Sequence, residues 1–172
     1  MNRFLLVNLV AAIVLLAACG PRPTPAPTIP PPPPRPVATD TPVPANDEEA
    51  VLQLLHAQGE GVVQQDIDRL MDIWDEDGVI TDANHTSDDP SDDSVWTGHD
   101  AIRERYVNLV FPSAPAEAVA TDIQLTIEGD TASAISTTNI GDEVQPGGDR
   151  WTFAKTDGRW KITSLTYNLE PQ

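Results

Sequence analysis

The sequence predicts an α+β domain. Apolar residues in the stretch 51–74 recur at the spacing of helices, whereas those in 123–127 alternate with polar residues as in strands. The pairs Gly129-Asp130 and Asp157-Gly158 are turn sequences between β-rich segments, so hairpins are expected there. We therefore predict the order α-α-β-α-β-β-β-β, with the helices segregated from a mostly antiparallel sheet.

The first two helices are predicted from their caps. Asn46 precedes an acidic first turn, with Glu49 at the position that a capping box requires, and Asp66 is placed to cap a second, shorter helix. Four apolar residues share one face of that helix: Ile67, Leu70, Met71 and Trp74. The pair Asp77-Gly78 is predicted to end it, before a short strand over 79–82.

A third helix is predicted from His99 to Phe111, ended by Pro112 and Pro115. Its apolar side comprises Ile102, Tyr106, Leu109 and Val110. The later strands are predicted over 131–140, 151–155 and 160–169, with a loop over 141–149.

Residues 1–18 have the composition of a secretion signal. Phe4–Ala18 is an apolar run of 15 residues, which is shorter than a membrane span of about 20 residues and long enough for a signal peptide. The run ends in Leu16-Ala17-Ala18-Cys19, which resembles the lipobox of bacterial lipoproteins. The resemblance implies cleavage before Cys19, lipidation of its thiol and anchoring of an exported chain to a membrane. The alternative is an ordinary signal peptide, or a short anchor, with a chance cysteine.

Residues 19–45 are predicted to be a tether. Twelve of the 25 residues in 21–45 are prolines, including the run 30–34. Because proline fixes φ and lacks an N–H, we expect an extended, polyproline-like spacer. A docking motif for a proline-reading domain is the alternative, but a spacer directly after an anchor has an obvious use.

Charge and cysteine content exclude several classes of function. The chain of 172 residues has 27 acidic and 10 basic side chains and a net charge of −17, and the domain 46–172 alone has a net charge of −19. Phosphates attract Lys and Arg, so we expect no nucleic-acid partner. The single cysteine excludes a disulfide framework and a cysteine-built metal site, and we expect no cofactor.

Three motifs resemble the nuclear transport factor 2-like proteins, which include SnoaL-like polyketide cyclases, ketosteroid isomerase and scytalone dehydratase. The stretch 66–80 is similar to their D-x-D-x-L…D-D-A/G-V segment, 98–102 to their G-x-x-A-I, and 158–162 to their G-R-W-K-I. The resemblance implies a cone-shaped fold, in which three N-terminal helices pack on a curved, mostly antiparallel sheet and enclose a pocket. Members use this pocket for catalysis, binding or assembly, so the fold does not fix the chemistry.

Enzymes of this family use a carboxylate or a histidine as base, beside Tyr or Trp donors. The resemblance therefore implies Asp82 and His85 as candidate bases and Tyr106 as a candidate donor. The alternatives are a solvated polar loop for the two bases and ordinary helix packing for Tyr106. Candidate pocket-lining residues are Trp74, Trp96, Tyr106, Trp151, Thr166 and Asn168, with core packing as the alternative for each indole.

Many members carry a histidine in the last strand, at the position of Thr166 in this chain. Neither Thr166 nor its neighbour of the same parity, Asn168, is a general base near neutral pH. His56 and His99 are expected to face solvent or to cap helices. These departures favour a function without catalysis.

The loop after the first strand has calcium-loop spacing. The side chains at positions 1, 3, 5, 7 and 12 of such a frame are Asp82, Asn84, Thr86, Asp88 and Asp93. However, Ser87 stands where glycine is needed, Pro90 follows, and an aspartate replaces the bidentate glutamate. We therefore favour a solvated acidic loop and no metal, with Ca²⁺ as the lesser alternative.

Two functions stay open. The first is a membrane-tethered, extracytoplasmic domain that binds a small apolar ligand in its pocket. The second is a structural or interaction module of the cell envelope that forms a homodimer through its sheet. An isomerase or dehydratase that uses Asp82 or His85 as base is a lesser alternative. A pocket with a buried ionisable group favours the first function, and one filled by aliphatic side chains favours the second.

Overall fold

The computed structural model describes residues 43–86, 89–140 and 148–169. The signal segment, Cys19, most of the tether and Asp88 therefore lie outside the described residues. The helical elements are α1 (Asp47–Gln64), α2 (Ile67–Ile73), α3 (Gly98–Arg105), a π-helical turn (Tyr106–Val110) and a 3-10 turn (Phe111–Ser113). The strands are β1 (Trp74–Asp82), β2 (Ser94–Thr97), β3 (Ala118–Glu128), β4 (Thr131–Ile140), β5 (Asp149–Thr156) and β6 (Arg159–Tyr167).

The six strands form one curved, mixed sheet in the order β2-β1-β6-β5-β4-β3. Strands β1 and β6 are parallel, and the other neighbours are antiparallel. The register shifts in the β1–β6, β3–β4 and β5–β6 pairs, and such bulges bend a sheet. The α+β class is confirmed, but α3 follows two strands, so the three helices are not all N-terminal.

Both predicted helix caps are confirmed. The Asn46 side chain accepts a hydrogen bond from the Glu49 amide at 2.8 Å, and the Asp66 side chain accepts one from the Arg69 amide at 3.1 Å. The Glu49 carboxylate reaches back to the Ala45 amide, one residue before the cap. These local bonds satisfy amides that have no partner within a helix, so the sequence alone specifies where α1 and α2 begin.

The end of α2 was predicted too late. The helix stops at Ile73, and Trp74 already belongs to β1 rather than to the helix. Trp74 pairs with Ile162 of β6, and the Asp75 carboxylate accepts a hydrogen bond from the Asp77 amide at 3.0 Å in the irregular part of β1 that follows. Strand β2 was not predicted at all, and it exists because residues 94–97 pair with the end of β1.

The third helix is shorter than predicted. Its α-helical part ends at Arg105, and the chain then passes through the π-helical turn. Ile102 and Tyr106 are buried as expected, but Leu109 is 59% exposed because the wider turn changes the helical phase. The prediction that Leu109 faces the core is therefore wrong.

The later strands follow the predicted order. The β5–β6 hairpin turns at Asp157 and Gly158, which have φ values of 51° and 75°, as an Asp-Gly turn of type I′ requires. Strand β6 ends at Tyr167, and Asn168 has a φ of 56° that breaks the extended backbone. Asp149 was predicted to lie in a loop, but it is the first residue of β5.

The hydrophobic core lies between the helices and the concave face of the sheet. Its largest fully buried side chains are Trp74, Tyr106, Phe153, Leu70, Ile80, Ile102 and Ile162. All of them belong to one unit, Thr41–Gln172, which therefore contains its own core. Within the described part of the chain, the helices lack the length and apolar character of a membrane span.

Candidate functional site

The concave face of the sheet is organised in rows that cross the strands. The strand pairings place four buried side chains in one row: Trp74, Ile162, Phe153 and Ala132. The next row, further from the β5–β6 hairpin, is also buried: Ile80, Leu165, Trp151 and Ala134. Both rows are apolar apart from the indole N–H groups.

A third row on the same face is polar. Asp82 pairs with Tyr167 across β1 and β6, and Ser136 pairs with Asp149 across β4 and β5. Because Arg150 pairs with Thr166, Asp149 lies beside Tyr167 on the same face. We call Asp82, Tyr167, Asp149 and Ser136 the polar row. It borders the apolar core at the end of the sheet away from the β5–β6 hairpin.

Asp149 is a buried carboxyl group in the polar row. It is only 2% exposed, and its carboxylate accepts a hydrogen bond from the Thr138 hydroxyl. Burial raises the pKa of Asp149 from 3.8 to about 6, and hydrogen bonds from Thr138 and Ser136 and the charge of Arg150 only partly oppose this shift. The group can therefore gain or lose a proton close to neutral pH.

An aromatic surface adjoins Asp149. The Trp151 indole donates a hydrogen bond to the Ser136 hydroxyl at 2.9 Å. Its ring stacks on Phe153, with the centroids 6.5 Å apart and the planes at 15°. Trp151, predicted as a pocket-lining residue, thus joins the apolar rows to the polar row.

Gly148 allows β5 to begin at Asp149. Its φ is 72°, a conformation that other L-residues rarely adopt. A Cβ atom there would lie 2.8 Å from the Ser136 carbonyl oxygen. The glycine therefore permits the close approach of β5 to β4 that brings Asp149 beside Ser136 and Thr138.

Arg105, the last residue of α3, covers the other end of the polar row. Its guanidinium carbon lies 5.1 Å from the Trp96 ring centroid, 5.6 Å from that of Tyr106 and 4.9 Å from that of Tyr167. Burial raises the pKa of Tyr167, the nearby charge of Arg105 opposes the shift, and Asp82 reinforces it. The Tyr167 hydroxyl thus lies within the influence of a cation and a carboxylate.

Tyr106 belongs to a buried hydrogen-bonded group. Its hydroxyl oxygen accepts from the Trp74 indole at 3.2 Å and from the Gln58 amide at 3.5 Å. The side chain is 1% exposed, and this burial raises its pKa. The candidate donor Tyr106 and the candidate pocket residue Trp74 therefore lie together in the interior.

The candidate base Asp82 is half-buried and already engaged. It accepts hydrogen bonds from the Asn168 side chain at 2.6 Å and from the Asn84 amide at 3.0 Å. His85 is exposed, with a φ of 61°, and its amide bonds to the Asn168 carbonyl. The structure does not bring the His85 side chain into the polar row.

Thr166 and the remaining histidines lie elsewhere. Thr166 pairs with Thr81 and Arg150, so strand parity puts it on the outer face of the sheet, opposite to Tyr167. His56 is exposed, and His99 donates from Nε2 to the Trp74 carbonyl at 3.1 Å. Asn168 contributes to the site only through Asp82.

The calcium-loop frame is described in part. Thr86 and Asn84 donate hydrogen bonds from their side chains to Asp92, which is not a member of the predicted frame. Among the described residues, no group of three or more His, Cys, Asp or Glu side chains has the geometry to hold a metal ion. Asp88 lies outside those residues, so the calcium hypothesis stays a prediction.

A groove of about 700 Å³ lies at the opposite end of the domain, near the β5–β6 hairpin. Its lining includes Asp47, Leu54, Arg69, Lys155 and Trp160. The Asp47 carboxylate accepts from the Lys155 ammonium at 2.7 Å and from the Trp160 indole at 2.9 Å. These two hydrogen bonds join α1 to the β5–β6 hairpin.

Sequence reasoning missed Asp149 and Arg105. Asp149 shares its strand parity with Trp151 and Phe153, and that alternation is the signal that could have placed it on the inner face. Arg105 lies three residues after Ile102 and directly before Tyr106, next to the buried side of α3. We predicted Asp149 to lie in a loop and assigned no role to Arg105.

The fold and the site together define a domain whose curved sheet and helices enclose a partly polar interior. A sequence model of the SnoaL-like domain matches residues 44–166. The chain therefore belongs to the SnoaL-like family, which has the nuclear transport factor 2-like fold. None of the curated proteins compared with the chain matches it.

Solved structures support the fold. An NTF2-like protein with a cystatin-like fold from Novosphingobium aromaticivorans has 22% sequence identity and a TM-score of 0.57, over 70% of this chain and 79% of that one. A hexachlorocyclohexane dehydrochlorinase of LinA type from Novosphingobium barchaimii has 20% identity and a TM-score of 0.54, over 69% and 83% of the two chains. An NTF2-like protein of unknown function from Pseudomonas putida has 16% identity and a TM-score of 0.53, over 68% and 82%. At these identities the likeness concerns the fold alone.

Proposed function

We propose that this protein is an exported lipoprotein whose SnoaL-like domain binds a small, mainly apolar ligand that carries a hydrogen-bonding group. The single observation that carries the proposal is Asp149, a buried carboxyl group at the junction of the polar row and the aromatic surface of Trp151. Ligand sites combine an apolar lining with a few polar groups that fix orientation. A buried carboxyl group is costly to the fold, which favours a role for it beyond folding.

The proposal is binding rather than turnover. The last strand has Thr166 at the position where many relatives have a histidine, and His85 is exposed. Asp82 is held by Asn168 and by the backbone at Asn84. An isomerase-like or dehydratase-like activity with Asp82 or His85 as base stays the lesser alternative.

The tether belongs to the same proposal. Lipid on Cys19 would anchor the chain, and the proline-rich segment would hold the acidic domain away from the anionic membrane surface. Growth of the host with a radiolabelled fatty acid is expected to label the full chain but not Cys19→Ala. Equal labelling of the two chains would overturn the anchor and leave the ligand site untouched.

The binding proposal is tested by native mass spectrometry. We expect residues 41–172, purified from the natural host without denaturation, to retain a small molecule that is released in organic solvent. Asp149→Asn is expected to reduce the retained fraction severalfold, because the buried acceptor loses its charge. The matched variant Asp130→Asn, in the exposed β3–β4 turn, is expected to retain the ligand. Equal retention by both variants would remove Asp149 from the site.

A homodimer is the second candidate function, and one observation favours it. The outer face of the central sheet has few charges in a chain with a net charge of −17. The outer residues of β4 and β5 are uncharged apart from Arg150, and they include Thr131, Ser133, Ile135, Thr137, Thr152, Ala154 and Thr156. Ile135 is 41% exposed. The same spectra decide between the two candidates, since a dimer without a retained small molecule supports the interaction module.

A further inference from the structure

Neither the core nor the proposed role of Asp149 explains the position of Arg105. It ends α3 at the start of the π-helical turn, and its guanidinium faces the rings of Trp96, Tyr106 and Tyr167 at centroid distances of 5.1, 5.6 and 4.9 Å. Aromatic faces attract a guanidinium and fix its plane, but they do not neutralise its charge. The arrangement therefore holds a cation in a fixed position beside the polar row.

The cation has no carboxylate partner among the residues that the structure describes. Other basic side chains do form ion pairs, including Arg69 with Glu60 and Arg103 with Asp68. Arg105 forms none in the same set of residues, although the chain contains 27 acidic side chains. Its Nε is buried and lacks a hydrogen-bond acceptor there. Buried donors in folded proteins nearly always have an acceptor, so the geometry points to one that lies outside the described residues.

We propose that Arg105 binds the carboxylate of the ligand, so that the ligands of this domain are small apolar acids. The inference rests on the proposed binding function and names the ligand class. A guanidinium presents coplanar N–H donors that match the two oxygens of a carboxylate. The Tyr167 hydroxyl lies between the guanidinium and the Asp82 carboxylate, accepts from the first and donates to the second, and so helps to position Arg105. The apolar body of the acid then contacts the rings of Trp96 and Tyr167, which are only partly buried.

The inference is tested by comparing the affinities of an aromatic acid and of the corresponding amide. Isothermal titration of residues 41–172 with naphthoate and with naphthamide compares ligands of one shape that differ in charge. We expect naphthoate to bind at least about tenfold more tightly than naphthamide, which is the range of a charge-assisted hydrogen bond. Arg105→Gln is expected to abolish this preference and to leave the affinity for naphthamide within about threefold.

Arg103→Gln is the matched control, since Arg103 lies on the same helix but is exposed and pairs with Asp68. It is expected to keep the preference for the acid. If naphthamide binds the unaltered domain as tightly as naphthoate does, or if Arg105→Gln keeps the preference, the acid inference is overturned while the binding function stands. If neither compound binds, and native mass spectrometry shows no retained molecule, both proposals fail.

The ratio of the two affinities in the unaltered domain decides the inference even if Arg105→Gln does not fold, which its thermal melting curve would reveal. Arg105→Lys then supplies the second variant. It keeps the charge but not the planar pair of donors, so we expect weaker naphthoate binding with the acid still preferred over the amide. Loss of all preference in a folded Arg105→Lys variant would contradict a charge-based contact.

Discussion

The two ends of the sheet treat charged groups in opposite ways. Near the β5–β6 hairpin, Asp47 accepts hydrogen bonds from Lys155 and Trp160, and these bonds lower the pKa of its carboxyl group. At the other end, burial raises the pKa of Asp149 to about 6. The first end uses charge to stabilise the fold, because Asp47 and Lys155 there form an ion pair. The second end contains a carboxyl group whose burial is unfavourable for folding. We infer that this group is present because it takes part in the proposed ligand binding.

The largest effect is expected from Asp149→Asn, which removes the ionisable group at the end that holds the proposed ligand site. The native pKa of about 6 exceeds the ordinary value of 3.8, so this group makes the unaltered domain less stable as the pH rises from 3.8 to about 6. The amide has no such loss and can still accept from Thr138. We expect the free energy of unfolding at pH 7.5 to rise by up to about 3 kcal/mol, measured by urea denaturation.

Destabilisation of the domain by Asp149→Asn at pH 7.5 would contradict the difference between the two ends, because that result is expected for a well-paired carboxylate. Denaturation at pH 4 provides an internal check, because Asp149 is mostly protonated there and the variant should approach the unaltered domain. Asp130→Asn, in the exposed turn, is the control. It should change the free energy of unfolding by the same small amount at pH 4 and at pH 7.5.

Trp160→Phe is expected to have an intermediate effect, at the opposite end. The indole is 6% exposed, and the substitution removes both its bond to Asp47 and part of its packing. We expect a loss of about 2 kcal/mol in the free energy of unfolding. Ligand retention in native mass spectra should be unchanged. Trp151→Phe makes the same chemical change beside Asp149, and there we expect retention to fall. Equal retention by these two variants would remove the functional difference between the ends.

The smallest effect is expected from Asp47→Asn. The chemical change is the same as in Asp149→Asn, but here we expect stability to decrease rather than to increase. The pKa of Asp47 is lowered, so its contribution to stability is present above the ordinary value of 3.8 and is lost as the pH falls through the native pKa. A small decrease in Tm at pH 7 is expected, which high salt should diminish because the carboxylate is partly exposed. An increase in Tm would contradict the assignment of this end to stability.

Features that depend on neighbours in the sequence were predictable. The caps at Asn46 and Asp66 act within one helical turn, and the Asp157-Gly158 turn requires only two residues with positive φ. Strand β4 has the predicted bounds because its alternation is regular and the turn before it is distinct. In these places local chemistry and the final fold agree.

Features that depend on distant partners were not predictable. Strand β2 is specified by its pairing with β1, and the early end of α2 reflects the pairing of Trp74 with Ile162. The polar row is assembled from four strands whose register is not visible in any one segment. The position of Arg105 could not be predicted, because the rings of Trp96 and Tyr167 that contact it lie 71 positions apart in the chain.

The central position of β6 has a consequence for the order of assembly. The strand made last has to be inserted between β1, made first, and β5, so the sheet cannot close while the C-terminal segment is still being synthesised. Such non-local pairing delays folding. A chain exported during its synthesis, with its N-terminus leading, would therefore stay unfolded until Tyr167 has been made, and the proposed ligand site, which includes Tyr167, would form after most of the domain has crossed the membrane.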